Sequence, residues 1–156
     1  IENFEDTIGY SDHTLGIDAV VLAAGQSIRT GDRNKLLLTF AGKSVAAHTV
    51  DAALASAIHQ VHVVTGHQCD ELIDALGDRP VRYIHNPTYH LGMGSSISSG
   101  VRGLPANVAG IILCLADMPW VHACHIDQLI NQFSLFSRIT ILRDNVLLYN
   151  RINISI

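Results

Sequence analysis

Apolar positions along this chain recur with two periods that take turns. Asp18 to Leu22 is a short continuous apolar run rich in β-branched valine, which predicts a strand buried on both faces. Residues 44 to 57, SVAAHTVDAALASA, place apolar residues at helical spacing in an alanine-rich segment and predict a helix. Gln60 to Thr65 reads as a second strand ending at Gly66-His67, and Cys69 to Leu76 as a short helix stopped by Gly77. Val81 to Ile84 is a third strand, after which Asn86-Pro87 turns the chain. Ser95 to Gly103 predicts a helix whose first serines, Ser95 and Ser96, are able to cap orphan N–H groups. Ala109 to Leu115 is the most hydrophobic strand, and His122 to Phe136 the helix behind it. Strand alternating with helix in this way implies an α/β fold of three Rossmann-like layers, a mostly parallel sheet with helices on both faces.

In such a sheet, ligands collect beyond the carboxyl ends of the strands. The loop after Leu22, Gly66-His67, Asn86 and Asp117 each follow a predicted strand, so residues distant in sequence are expected to converge on one crevice. The last stretch, RITILRDNVLLYNRINISI at 138 to 156, reads as two or three alternating strands around an Arg-Asp-Asn turn. Such strands need a sheet to join, or they leave an exposed edge.

Composition narrows the class. The 156 residues suit one domain, expected over 18 to 156, with 1 to 17 as an extension or tag remnant that begins without methionine. Apolar residues at 48% against 15% charged exclude a disordered chain. The longest apolar run, near Ala109 to Ala116, is too short for a bilayer, and no signal-peptide pattern opens the chain; the expectation is a cytoplasmic protein with no membrane partner. A net charge of −4 gives no support to nucleic-acid binding. Cys69, Cys114 and Cys124 are odd in number and widely spaced, which suggests no disulfide framework; Cys114 is expected as a small core residue. His122, Cys124 and His125 lack the flanking ligands of a zinc site, and a structural metal is not expected there.

The segment with most chemistry is VVLAAGQSIRTGDRNKLLL, residues 20 to 38. Ala23, Ala24 and Gly25 are too small to shield their own backbone, so a ligand is expected to approach its N–H groups. Arg29 suits bidentate contact with phosphate and Lys35 a point-charge contact. A solvated surface loop with two ordinary cations is the plain alternative. Two familiar phosphate loops are excluded by spelling: Leu37 stands where a Walker loop before Gly42-Lys43-Ser44 requires glycine, and Ile97 stands where Gly92 and Gly94 would need a third glycine for a dinucleotide fingerprint.

That segment resembles the signature loop of the nucleotidyltransferases that attach a nucleotide to molybdopterin. Leu22 to Gly25, Ser27, Arg29, Gly31, Asn34 and Lys35 match, while Thr30 stands where the family usually has methionine. Asn34 and the leucines after Lys35 are more similar to the cytidylyltransferase branch. VVTGH at 63 to 67, Asn86-Pro87, GMGSS at 92 to 96 and LADMP at 115 to 119 follow in the family's order, so the resemblance covers roughly residues 18 to 135.

The resemblance implies transfer of a nucleoside monophosphate, CMP in the favoured case, from a nucleoside triphosphate to a phosphorylated acceptor such as molybdopterin. Arg29 and Lys35 would hold phosphates, Asp117 would be a Mg²⁺ ligand, and Leu22, Ala23, Ala24 and Gly25 would line the nucleotide pocket with Gly94, Ser95 and Ser96. From position alone Asp117 could instead cap the following helix, and Asn86 either orients a ribose or only forms its turn. His67 is a weaker candidate, as a residue that packs at a strand end. Small-molecule substrates are the expected partners, with a molybdoenzyme or chaperone as the implied protein partner. The family's later aspartate, a second metal ligand, has no match in 138 to 156. A truncated, divergent or frame-shifted tail would account for that, and a non-catalytic nucleotide-binding or regulatory domain is the runner-up. A sugar-phosphate nucleotidyltransferase is the third reading.

Overall fold

The computed structural model describes residues 16–25, 34–136, 140–143 and 146–149, those from 133 onward as backbone only. Six strands form one sheet: β1 (Ile17–Leu22), β4 (Val61–Thr65), β5 (Arg82–His85), β6 (Gly110–Leu115), β7 (Thr140–Arg143) and β8 (Val146–Tyr149). Two short strands, β2 (Thr39–Phe40) and β3 (Lys43–Ser44), make a separate hairpin, and four helices complete the chain: α1 (Val45–Leu54), α2 (Cys69–Leu76), α3 (Met93–Arg102) and α4 (Ala123–Phe136). The order in the sheet is β5-β4-β1-β6-β7-β8, with every pairing parallel except β7 with β8. The α/β reading therefore holds, and element boundaries differ from the expected ones by a few residues at most.

Alternation along β1 explains why both faces are covered. Ala19, Val21 and Ala23 enter one core with Ala46, Ala47, Val50, Leu72, Leu76, Ile126 and Leu129, so α1, α2 and α4 lie on that face. Val20 and Ala24 enter the other core with Val64 and Leu113, against Ile97 of α3. Each fully buried leucine, isoleucine or valine contributes about 1.5–3 kcal/mol by leaving water. The alanines of α1 are needed for closeness rather than for helix propensity alone: Ala46, Ala47 and Ala53 have no exposed surface. Ser44 caps this helix by accepting from Ala47 N–H at 3.3 Å. It ends at Leu54, short of the expected residue 57; the Ser56 hydroxyl then donates to Ala53 O at 2.7 Å in the turn that follows.

On the other face, α3 approaches the sheet where it carries Gly100. A Cβ built there would lie 2.7 Å from Val20 Cγ1 and 3.0 Å from Val64 Cγ2. Helix α3 also starts earlier than expected, at Met93, with Gly92 (φ 96°) as its cap and no side-chain cap bond. The expected capping role of Ser95 and Ser96 is thus corrected: both lie inside the first turn.

Two polar clusters lie away from the strands' carboxyl ends. Asp18, 1% exposed at the start of β1, accepts hydrogen bonds from His62 Nε2 at 2.8 Å and His59 Nδ1 at 3.0 Å. Asp51 on α1 pairs with Lys43 and with Arg79 Nε at 2.6 Å, fastening the β2–β3 hairpin and the segment after α2 to α1. The hairpin turn, Ala41-Gly42, has φ of 44° and 85°, the two positive values that a type I′ turn requires. The tail strands form a hairpin on the sheet edge, β7 beside β6, as the alternating pattern predicted. Among the described residues, no helix is long and apolar enough to cross a membrane.

Gly100→Ala is expected to cost about 1–3 kcal/mol through overpacking, read as a lower denaturation midpoint; an unchanged midpoint would show that α3 has slack. Asp51 supplies an acid-side prediction. Partial burial pushes its carboxyl up, but the hydrogen bonds and charges of Arg79 and Lys43 outweigh that and hold it below the usual 3.8. The folded state then binds fewer protons than the unfolded one, so this contribution is present above pH 3.8 and is lost as pH falls below it. Stability curves of wild type and Asp51→Asn should therefore converge as pH falls below about 4; parallel curves would contradict the account.

Candidate functional site

Asp117 reaches its position by a continuation of the β1–β6 ladder. The last register pair is Leu22 with Leu115, and Ala116 N–H still donates to Leu22 O at 3.1 Å. The chain then turns, with Met118 N–H bonding Leu115 O at 3.3 Å and Val121 N–H bonding Met118 O at 3.1 Å. Helix α4 does not begin until Ala123, so Asp117 is not its cap. Its first turn is tied instead by His122 N–H donating to His125 Nδ1 at 3.1 Å.

Thr49 supports this loop from beneath. Fully buried on α1, its hydroxyl faces the carbonyls of Met118 (3.2 Å), Leu115 (3.4 Å) and Ala116 (3.4 Å). One hydroxyl donates one proton at a time, so it adds one side-chain hydrogen bond to carbonyls of which Leu115 O and Met118 O already have backbone donors. Nothing in the sequence pattern distinguished this threonine from the small residues around it.

Lys35 opens a short 3₁₀ turn, Lys35–Leu37, whose start is capped by Asn34 Oδ1 accepting from Leu36 N–H at 3.1 Å. Leu36 is buried in the core and anchors the turn. Lys35 Nζ then meets Asp117 Oδ2 at 2.6 Å across 82 residues of sequence. Side-chain exposures of 45% and 35% put this pair in water, where such bridges contribute at most about 1 kcal/mol. Its value as a fastening is therefore small. A cation and a hard oxygen ligand stand together at the mouth where strand order reverses, between β1 and β6. The second cation expected here, Arg29, lies outside the described residues.

The remaining predicted residues divide. Ala23 and Ala24 are buried with their methyl groups in opposite cores, and Ala23 N–H is already committed to Val64 O at 2.9 Å. Their small size serves packing, which corrects the expectation of open backbone there. Leu22 is half-buried and Leu22 O accepts from Ala116, leaving Gly25, exposed with open space at its Cα, as the accessible part of the segment.

Asn86 is fully buried and internally satisfied. Its Nδ2 donates to Ser95 Oγ (3.0 Å) and Ser96 Oγ (3.1 Å), and its Oδ1 accepts from Thr88 N–H and Thr88 Oγ1, both at 3.0 Å. The turn-forming alternative is the one observed: Asn86 ties the end of β5 to the start of α3. Ser95 Oγ also lies 2.8 Å from Gly92 O and 2.9 Å from Thr88 O, and Ser96 is buried. What this wall offers a ligand is the amino end of α3 at exposed Gly94, where early N–H groups have no intrahelical partner. His67 packs near Tyr89, ring centroids 6.0 Å apart, as a strand-end residue would.

A hard divalent cation fits the donor set in one respect. Asp117 provides a half-exposed carboxylate oxygen, and among the described residues no three His, Cys, Asp or Glu side chains form a closed metal cage. Mg²⁺ is ordinarily held by one or two carboxylates together with phosphate oxygens and water, a mode to which Asp117 is suited. Burial pushes the Cys114 thiol up to about 12, consistent with an unreactive core residue.

Residues 19–146 match the profile of the MobA-like NTP transferase domain. A protein named bifunctional protein GlmU from Halorhodospira halophila is 35% identical over 106 residues, 67% of this chain and 22% of that protein. Among solved structures, a nucleotidyl transferase from Methanothermobacter is 29% identical with a TM-score of 0.65, covering 74% of this chain and 57% of the other. Rv0371c from Mycobacterium tuberculosis H37Rv is 25% identical with a TM-score of 0.66, covering 74% and 59%. The chain thus spans about a quarter of the length of the curated relatives it matches.

Thr49→Val keeps the shape but removes the hydroxyl donor, and an expected loss of about 0.5–1.5 kcal/mol follows from one lost hydrogen bond, since Leu115 O and Met118 O keep their backbone donors. Urea denaturation checks it, with Thr49→Ser retaining most of the stability; a Val variant as stable as wild type would remove Thr49 as the support of the Asp117 loop.

Proposed function

The chain belongs to the MobA-like NTP transferase domain family, and on that premise we propose that it transfers a nucleotidyl group from a nucleoside triphosphate to a phosphorylated acceptor. The observation that carries this reading is the Lys35–Asp117 contact, 2.6 Å long, at the carboxyl ends of β1 and β6. The pair is exposed enough to exchange partners at low cost, the ammonium toward phosphate oxygens and the carboxylate toward a cation.

The step balances without a protein nucleophile. An oxygen of the ionised acceptor phosphate bonds to the α-phosphorus as the bond from that phosphorus to the bridging oxygen breaks, and the electron pair leaves with pyrophosphate. Lys35 offsets negative charge that grows on the leaving group, and Arg29 is assigned the same task from its place in the loop. Positioning and charge neutralisation dominate such reactions. Mg²⁺, held by Asp117 together with phosphate oxygens, would supply further charge neutralisation. The amino end of α3 and Gly25 would face the nucleotide, with Asn86, Ser95 and Ser96 holding that wall in shape.

CMP transfer to molybdopterin is the finer form of the proposal, supported by the spelling Asn34-Lys35-Leu36-Leu37-Leu38. The 35% identical relative carries the name GlmU, which keeps a sugar phosphate as the second acceptor reading. A cytoplasmic setting belongs to the same proposal and suits three cysteines that are free thiols. A molybdoenzyme or chaperone partner is part of the finer form only.

A thermal-shift panel of CTP, GTP, ATP and UTP, with and without Mg²⁺, tests the reading. A triphosphate that binds the folded form at 100 times its dissociation constant adds about 2.7 kcal/mol of stability, and the shift should need Mg²⁺. No shift with any of the four would overturn the nucleotide site. Lys35→Ala is expected to lose roughly 2–4 kcal/mol of transition-state stabilisation in a pyrophosphate-release assay. Mg-dependent binding without pyrophosphate release, even in wild type with both acceptor classes, would favour a regulatory nucleotide-binding domain.

A further inference from the structure

Two adjacent residues of α1 hold the two segments that carry the charges. Thr49 lies under the Asp117 loop, where its hydroxyl faces the carbonyls of Leu115, Ala116 and Met118. His48, the residue before it, donates from Nε2 to Phe40 O at 2.7 Å, with its ring tilted on the Phe40 ring at a centroid distance of 5.2 Å. Phe40 belongs to the chain that continues from Lys35: Leu38 N–H bonds Lys35 O at 3.3 Å, Val45 N–H bonds Leu38 O at 3.0 Å, and Phe40 pairs with Lys43 in the β2–β3 hairpin. Trp120 belongs to the turn after Asp117 that Val121 N–H closes on Met118 O. The two segments then meet directly, Phe40 edge-on to Trp120 with ring centroids 5.0 Å apart at 71°.

We propose that the Phe40–Trp120 contact, braced by His48 on α1, is a positioning device that keeps Lys35 and Asp117 in register while they give up one another for phosphate and a cation. This rests on the transfer reading above and adds positioning residues to it. The 2.6 Å contact between Lys35 and Asp117 fixes their separation only as long as it lasts, and in the proposed reaction it gives way to contacts with substrate. An edge-to-face pair of rings is of the same order of strength as an exposed ion pair. It carries no charge for which substrate competes, and it joins the same two segments, five residues beyond Lys35 and three beyond Asp117. Because His48 and Thr49 are side by side on one helix, the contact closes a ring of supports: α1 to the hairpin, the hairpin to the indole, and the indole, through its turn, back to α1. Trp120 keeps 65% of its surface in water, so it contributes through this contact more than through burial.

Mn²⁺ binding followed by electron paramagnetic resonance tests this on the full chain, in the presence of a non-hydrolysable analogue of whichever of CTP, GTP, ATP and UTP raises the melting temperature. Trp120→Ala is expected to weaken Mn²⁺ binding about fivefold, the factor to which one aromatic pair corresponds. Phe40→Leu, which removes the other half of the pair, should weaken it about equally, and Trp120→Phe, which keeps a ring for Phe40, should recover most of it. The melting temperature of both Trp120 variants without ligand should stay that of wild type. At saturating Mn²⁺ the KM of the acceptor that turns over, molybdopterin or glucose 1-phosphate, should stay within about twofold. Wild-type Mn²⁺ affinity in Trp120→Ala would overturn the positioning role and leave the transfer reading standing. So would a loss that tracks a lowered melting temperature and is not recovered by Trp120→Phe. A raised acceptor KM at unchanged Mn²⁺ affinity would make the indole a substrate contact and also overturn the positioning role. Absence of any Mn²⁺–nucleotide binding in wild type would overturn the transfer reading, and the positioning role with it.

Discussion

The parallel pairing of β1 with β6 is the constraint on which the candidate site depends. Six register pairs, Ile17 with Gly110 through Leu22 with Leu115, bring both strands to an end at the same level. With β4 and β5 on one side of β1 and β6 on the other, the strand order reverses between β1 and β6, and both strands lead to helices on the same face of the sheet. Lys35 and Asp117 are neighbours for this reason, although 82 residues separate them. Their attraction is too weak in water to organise anything by itself. The buried strands organise the charges, and not the reverse.

Support beneath the crevice is specific where the crevice itself is polar and open. Thr49 stands under the Asp117 loop, Asn34 caps the turn that carries Lys35, and Asn86 ties β5 to the start of α3. In each case a side chain meets backbone or hydroxyl groups that regular structure leaves over. At the opposite end of the sheet, Asp18 is held between His59 and His62, a buried carboxylate satisfied by two imidazoles. The sheet thus carries buried polar contacts at the start of β1 and an exposed ion pair at the strands' carboxyl ends.

Much of this was legible in the sequence, because hydrophobic period and strand-end position are local signals. The run at Asp18 to Leu22 and the stretch Cys69 to Leu76 announced a strand and a helix in almost their observed bounds, and strand-end position set the loop after Leu22 beside Asp117. What local spacing does not carry is partner choice. Ala23 and Ala24 looked open until the two cores closed on them; Ser95 and Ser96 looked like caps until Gly92 took that place. Thr49 and the hairpin at Ala41-Gly42 depend on contacts that no periodicity marks. Arg29 and its neighbours lie outside the described residues.

In the proposed reaction Lys35 and Asp117 part to admit a cation and a triphosphate between them. Diffraction from crystals grown with Mn²⁺ and a non-hydrolysable CTP analogue tests it directly, through the anomalous signal of the metal. A peak is expected within coordination distance of an Asp117 carboxylate oxygen, with Lys35 Nζ on a phosphate oxygen. A metal and nucleotide bound elsewhere, with the 2.6 Å Lys35–Asp117 contact intact, would contradict it.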